Sequence, residues 1–211
     1  MFKFVFALAA VAAAGPALAQ DTAETFNGPF VGIQGGWQQD RQTLQLNNGG
    51  VITEASQSKS GFGYGGQIGY DFRLSPSVVF GAEVDLTGRT GTSRIGGNNG
   101  YDLKQGRTIA ATARLGYLAT PNSLLYVRGG YANGRFTLSD ATSSESVNRD
   151  GYQVGVGYEQ ALGQNVSARV EYTHSGFGTT NAFNLAQNVG ATDADVKYSR
   201  NAVTAGLNFR F

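Results

Sequence analysis

The chain has 211 residues, with 16 basic and 15 acidic side chains, 31 glycines, 10 tyrosines, 13 phenylalanines, 4 prolines and no cysteine. Balanced charge argues against nucleic acid or polyanion binding, which needs clustered cationic excess, and the missing thiol excludes disulfides and thiol catalysis. Abundant aromatics and a glycine spacing of two rather than three exclude collagen-like and disordered chains and leave an all-β class.

Met1 to Ala19 reads as a secretory signal. Lys3 supplies the positive start, Val5 to Ala14 the apolar run, and Ala17-Leu18-Ala19 an A-x-A cleavage site. Gly15-Pro16 interrupts a run already too short to span a bilayer as a helix, and no later stretch is long enough either. Export with cleavage after Ala19 is therefore expected, followed by a short periplasmic lead over 20–29 and a single domain over 30–211. Without cysteine, no lipid anchor through an N-terminal thiol is expected.

The first predicted strand, Phe30 to Gln39, sets Val31, Ile33 and Trp37 against Gly32, Gln34 and Gly36. After a polar stretch comes the clearest one, Ser60 to Leu74. Its even positions carry Phe62, Tyr64, Ile68, Tyr70, Phe72 and Leu74, and its odd positions carry glycines with Gln67, Asp71 and Arg73. A two-residue period sends these sets to opposite faces. An aromatic outer face over a glycine-rich, charged inner face suits a strand between lipid and a narrow polar lumen.

The pattern recurs. Val78 to Thr87 opposes Val78, Phe80, Ala82, Val84 and Leu86 to Gly81, Glu83 and Asp85; Arg107 to Leu118 opposes Ile109, Leu115 and Tyr117 to Thr112 and Arg114. Leu124 to Phe136 has the least regular parity, with Tyr126 and Arg128 inward, and a bulge is expected near Gly129-Gly130. Gly151 to Leu162 turns Tyr152 and Tyr158 outward and Gln153 and Glu159 inward. Val166 to Ser175 turns Tyr172 and His174 outward and Arg169 and Glu171 inward, and Ser199 to Phe211 does likewise with Phe209 and Phe211 against Arg210.

Short turns at Ser75-Pro76-Ser77, 119–123 and 163–165 alternate with four predicted loops at 40–59, 88–105, 137–150 and 176–198. Eight strands joined in this way predict an all-β, eight-stranded antiparallel up-and-down transmembrane β-barrel with both termini on the short-turn rim. Such a barrel is just wide enough for side chains to fill. Asp71, Arg73, Glu83, Asp85, Arg114, Arg128, Glu159, Arg169, Glu171 and Arg210 are the candidate lumen charge network, because buried charges must pair. A packed plug is expected, with a gated ion path as the alternative. Trp37, Tyr64, Tyr70, Phe72, Tyr117, Tyr152, Tyr158 and Tyr172 are the candidate aromatic girdle.

Other patterns carry no chemistry in this context. Gly61-x-Gly63-x-x-Gly66 matches a dinucleotide fingerprint, but no helix follows it. Ser56-x-x-Lys59 lacks the companion motifs of a β-lactamase, and Asn165-x-Ser167 sits in a tight turn. No cluster has metal-ligand spacing, so neither metal nor cofactor is expected.

The runs F-G-Y-G-G-Q-I-G-Y, L-L-Y-V-R-G-G-Y-A-N-G, G-Y-Q-V-G-V-G-Y-E, V-S-A-R-V-E-Y and the terminal L-N-F-R-F resemble the outer-membrane β-barrel family of opacity-protein-like and immunogenic surface antigens. In shape this group is similar to the OmpA membrane domain. The resemblance covers Phe30 to Phe211 and implies a bacterial outer-membrane location among lipid and lipopolysaccharide. It also implies that the barrel-assembly machinery reads Phe209 and Phe211, and no peptidoglycan-binding domain is expected. Some barrels of this size modify lipid A with a His, a Ser and an acid, which makes His174 a candidate. Its face offers no acid, so a girdle position beside Tyr172 and Phe177 is the expected role. The chain is expected to be a monomeric, non-enzymatic envelope protein, with a small-solute porin as the alternative; the sequence names no surface ligand.

Overall fold

The computed structural model describes residues 25–48, 51–90, 93–95, 101–139, 144–181 and 193–211. The expected signal segment and most of the lead lie outside the described residues. The strands are β1 (Gly28–Asn48), β2 (Val51–Ser75), β3 (Val78–Arg89), β4 (Ser93–Ile95), β5 (Tyr101–Thr120), β6 (Ser123–Ser139), β7 (Ser144–Ala161), β8 (Val166–Asn181) and β9 (Asp193–Arg210). Every pairing is antiparallel between sequence neighbours, except that β3 pairs directly with β5 and β1 closes onto β9, with Trp37 opposite Val203. β4 is a short appendage on β5, which leaves eight strands in a closed barrel. Within the band where all eight strands pair, closure removes the free edges.

The side-chain alternation decides which face is which. Trp37, Phe72 and Tyr117 are 61 %, 50 % and 59 % exposed, whereas Asp71, Glu83, Arg114 and Glu159 are buried. An apolar, aromatic belt around the whole outside and charge within is inverted relative to a water-soluble barrel. It is stable only where the outside meets hydrocarbon.

Three expectations about the chain path are corrected. First, the four predicted loops are largely strand. β1 and β2 stay in register from Asp40↔Lys59 to Asn48↔Val51, and β5 to β9 also extend into the polar stretches. Backbone ladders do not need apolar side chains, so loss of the apolar pattern marks the end of the apolar band and not the end of the strand. Second, β6 has no bulge at Gly129-Gly130. Its register with β5 is unbroken from Thr108↔Gly134 to Leu118↔Leu124. Gly130 is there because a Cβ would lie 2.2 Å from the Ala111 carbonyl oxygen, so the two backbones approach too closely for a side chain. Third, Phe177 points inward and not to the girdle: it is buried on Tyr198 with Ala110 and Ala132, ring centroids 5.5 Å apart.

That cluster lies toward the long-hairpin end. The short-turn end carries a second one, in which Phe26 from the lead is fully buried with Val79, Leu118, Leu124 and Tyr126. Apolar packing thus closes the lumen where β3, β5 and β6 turn. The cluster generates a test. Phe26→Ala should lower the unfolding free energy by about 3–5 kcal/mol in reversible urea unfolding from micelles, whereas exposed Lys59→Ala should change it by less than about 0.5 kcal/mol.

Candidate functional site

The lumen is built from one residue in two on each strand. Arg114 (β5) donates from Nε to Asp71 Oδ1 at 2.8 Å and from Nη2 to Asp71 Oδ2 in a forked pair, while Nη1 reaches Glu159 Oε2 at 3.1 Å. Arg210 (β9) donates to the same two carboxylates, at 2.8 Å to Asp71 and 2.7 Å to Glu159. Arg169 (β8) forks onto Glu83 at 2.8 and 3.1 Å, and Arg128 (β6) bridges Glu83 at 2.6 Å, Asp85 at 3.1 Å and Glu171 at 3.3 Å. The structure therefore joins four predicted arginines and all five predicted carboxylates in one buried network spanning β2 to β9.

Neutral groups complete the shell. Glu159 also accepts from Ser167 at 2.5 Å and Asn208 at 2.9 Å, Tyr126 donates to Glu171 at 2.8 Å, and Gln34 of β1 accepts from Arg169 at 3.1 Å. Arg114 and Arg210 stack on Phe30 with guanidinium-to-centroid distances of 4.5 and 5.0 Å, and Arg210 on Phe26 at 4.7 Å. The stacking seats charged forks directly on the apolar cluster at the short-turn end. Space is made by glycines: a Cβ on Gly81 would lie 2.3 Å from Asp71 Oδ1, and one on Gly157 would lie 2.4 Å from the Tyr126 ring.

Arg73 is not brought into this network. It is half-buried at the short-turn rim, where β2 shifts register between Arg73 and Ser75 and the guanidinium donates to the Pro76 carbonyl at 2.7 Å. Conversely, the sequence reading missed a second layer. Asp40, assigned to a loop, is buried and accepts from Arg200 and Arg89 at 2.8 Å each, with Arg200 also donating to Thr108 at 2.9 Å. The signal was present in the parity, since Gln34, Gln38 and Asp40 continue one face of β1 beyond the last outward aromatic. Among the described residues the inner layer joins four arginines to five carboxylates, and the outer layer joins Arg89 and Arg200 to Asp40. Between the layers is a cavity of about 30 Å³ lined by Gln38, Asp85, Arg128, Glu171 and Arg200. That is the scale of one or two water molecules.

Outside, Trp37, Tyr64, Tyr70, Phe72, Tyr117, Tyr152, Tyr158 and Tyr172 all face away from the lumen and are exposed. His174 is also on this face. Its Nδ1 lies 2.8 Å from the Asn201 amide oxygen, which also accepts from Tyr172 Oη at 2.8 Å, so the imidazole is oriented by an amide and not by a carboxylate. Phe209 and Phe211 are exposed outward neighbours in an edge-on contact, ring centroids 5.0 Å apart. Among the described residues no group of His, Cys, Asp or Glu could hold a metal ion.

The network generates a direct comparison. Arg128→Ala should cost about 3–5 kcal/mol of unfolding free energy, because it strands buried carboxylates, while exposed Arg41→Ala should cost less than about 0.5 kcal/mol. Equal urea midpoints for the two variants would show that the lumen charges are not coupled.

Residues 4–211 match the family described as the outer membrane protein beta-barrel domain. The 31 kDa outer-membrane immunogenic protein of Brucella melitensis is 28 % identical over 206 residues, covering 89 % of this chain and 84 % of the relative. The 22 kDa outer membrane protein of Rhizobium leguminosarum is 32 % identical over 152 residues, covering 71 % and 67 %. Among solved structures, Neisserial surface protein A superimposes with a TM-score of 0.51 at 16 % identity, over 88 % of this chain and all of that one, a likeness of fold alone. The inverted barrel, its charged interior and these matches together place the chain in the outer membrane protein beta-barrel family, resident in the bacterial outer membrane.

Proposed function

We propose that the protein is a closed, non-enzymatic structural barrel of the outer membrane that displays its four long hairpins at the cell surface. One observation carries the reading: the lumen is filled by a buried network of four arginines and five carboxylates. Beneath it, Phe26, Val79 and Leu124 pack across the short-turn end. A solute path would have to part these pairs, and a buried charge deprived of its partner costs several kcal/mol. The short turns then face the periplasm and the hairpins face outward. Two curated relatives carry the word immunogenic in their names, which supports surface display. We propose a monomer, since closure leaves no strand edge within the band where all eight strands pair.

Planar-bilayer recording tests the closed lumen. The protein should give no steady conductance at physiological salt. A steady current proportional to salt concentration would establish the small-solute porin instead. The terminal aromatic pair is proposed as the signal read during assembly. Deleting Phe211 should therefore lower the outer-membrane level of the protein severalfold in cells, and a normal level would remove that role.

A further inference from the structure

The chain enters the barrel by a turn that its first strand does not require. Thr25, Phe26 and Asn27 precede the ladder, which starts at Gly28 opposite Asp71 on one side and at Phe30 opposite Arg210 on the other. Continued straight, these three residues would run out past the rim. Instead Thr25 is buried and Phe26 fully so. Phe26 shares one apolar cluster with Val79 of β3, Leu118 of β5, and Leu124 and Tyr126 of β6. β6 stands across the barrel from β1, with three strands between them either way round. The lead therefore folds under the mouth and lays its ring over the end of the charge network, 4.7 Å from the Arg210 guanidinium.

Gly28 makes this fold-back possible. Its φ is +120°, a conformation that residues with a side chain rarely adopt, and a Cβ there would lie 3.0 Å from the Phe211 carbonyl oxygen. On the N-terminal side of this pivot no strand pairing is found among the described residues. Side-chain packing seats the segment, together with the bond that the Arg73 amide donates to Asn27 Oδ1 at 3.3 Å. The seat is composite. Its walls come from β3, β5, β6 and β9, and the last strand is joined to the first where the Phe211 amide donates to the Pro29 carbonyl at 3.1 Å. Such a seat is complete only once the barrel has closed.

We infer that Thr25 to Asn27 form a hinged stopper, which swings about Gly28 into the short-turn mouth after β1 has paired with β9. Once seated, it keeps water from the end of the network where Arg210 meets Asp71 and Glu159. A short segment held by packing opens at lower free energy than the ladders around it, so the stopper leaves its seat while the barrel stays closed. This deepens the closed-lumen reading, but the two fail separately. Bilayer current reports the whole path through the network, whereas a thiol in the floor reports the short-turn mouth alone.

The native chain has no cysteine, so a single introduced thiol reports its own position. Val79→Cys in the floor cluster and Ala132→Cys in the cluster toward the long hairpins are refolded in micelles and treated with a charged methanethiosulfonate. Leu118→Cys is a second floor reporter should Val79→Cys refold poorly. Both native side chains are fully buried, so both thiols should react slowly. Adding Phe26→Ala should speed the floor thiol about 100-fold and the Ala132→Cys thiol less than about threefold. Gly28→Val keeps the aromatic ring but bars the fold-back, and should speed the floor thiol comparably. Heat-dependent gel mobility verifies closure in each variant. Equal acceleration at the two positions would show general loosening and overturn the stopper. So would an unchanged rate at the floor thiol in either the Phe26→Ala or the Gly28→Val background. During refolding, protection of the floor thiol should follow the appearance of the closed band; protection that precedes closure would overturn the order of events.

Discussion

The structure depends on neutralising buried charge within a tube only as wide as its own side chains. Arg114 shows how this is done. Its guanidinium faces Asp71 from β2 and Glu159 from β7, and Arg210 faces the same two carboxylates from β9. Each carboxylate therefore has two cations, and each cation reaches across the barrel to other strands. A planar fork with fixed donors suits this arrangement better than an ammonium would. A buried ion network is often no more stabilising than an apolar filling of equal volume. It makes the barrel specific, because a slip of one residue on any strand would carry its charges to the hydrocarbon side.

The apolar contacts inside the barrel follow from the same constraint. Charges in the middle of the lumen need screening from water if their pairing is to hold. The cluster around Phe26 and Leu124 supplies that at the short-turn end, and Phe177 with Tyr198 packs toward the other. Stacking of Arg114 and Arg210 on Phe30 joins the charged layer to the apolar one without leaving a gap. A lumen filled in this way is the basis of the proposed closed barrel.

On that wall the boundary between hydrocarbon and headgroup is written strand by strand. Trp37 is followed by Gln39 and Arg41, Tyr172 by His174, and Val203 by Asn201 on the same side. The Tyr172, His174 and Asn201 cluster shares a single amide oxygen at the change. A chain that keeps its strands paired well past this boundary holds polar groups in fixed register beyond it.

Much of this was legible without coordinates, because a strand between lipid and a narrow polar lumen sets aromatic and apolar residues on one face of its two-residue period and glycine and charge on the other. The period in Ser60 to Leu74 determined the class, the strand count, the outward aromatics and the inward charges. The parity of Gln34, Gln38 and Asp40 on β1 held the same signal, but the loss of apolar neighbours led to the assignment of Asp40 to a loop. Which charges meet was not legible, since Arg169 and Glu83 are 86 residues apart and become partners only when closure sets the register of every strand. The same holds for Arg73, whose parity is inward but whose place at the rim depends on a local register shift. Phe26 had no periodic context and could not be recognised as a plug. Composition and alternation are local, so the sequence alone determined which face each residue takes. Pairing across the lumen and diagonal contacts on the outer wall depend on stagger between strands, and only the closed barrel decided those.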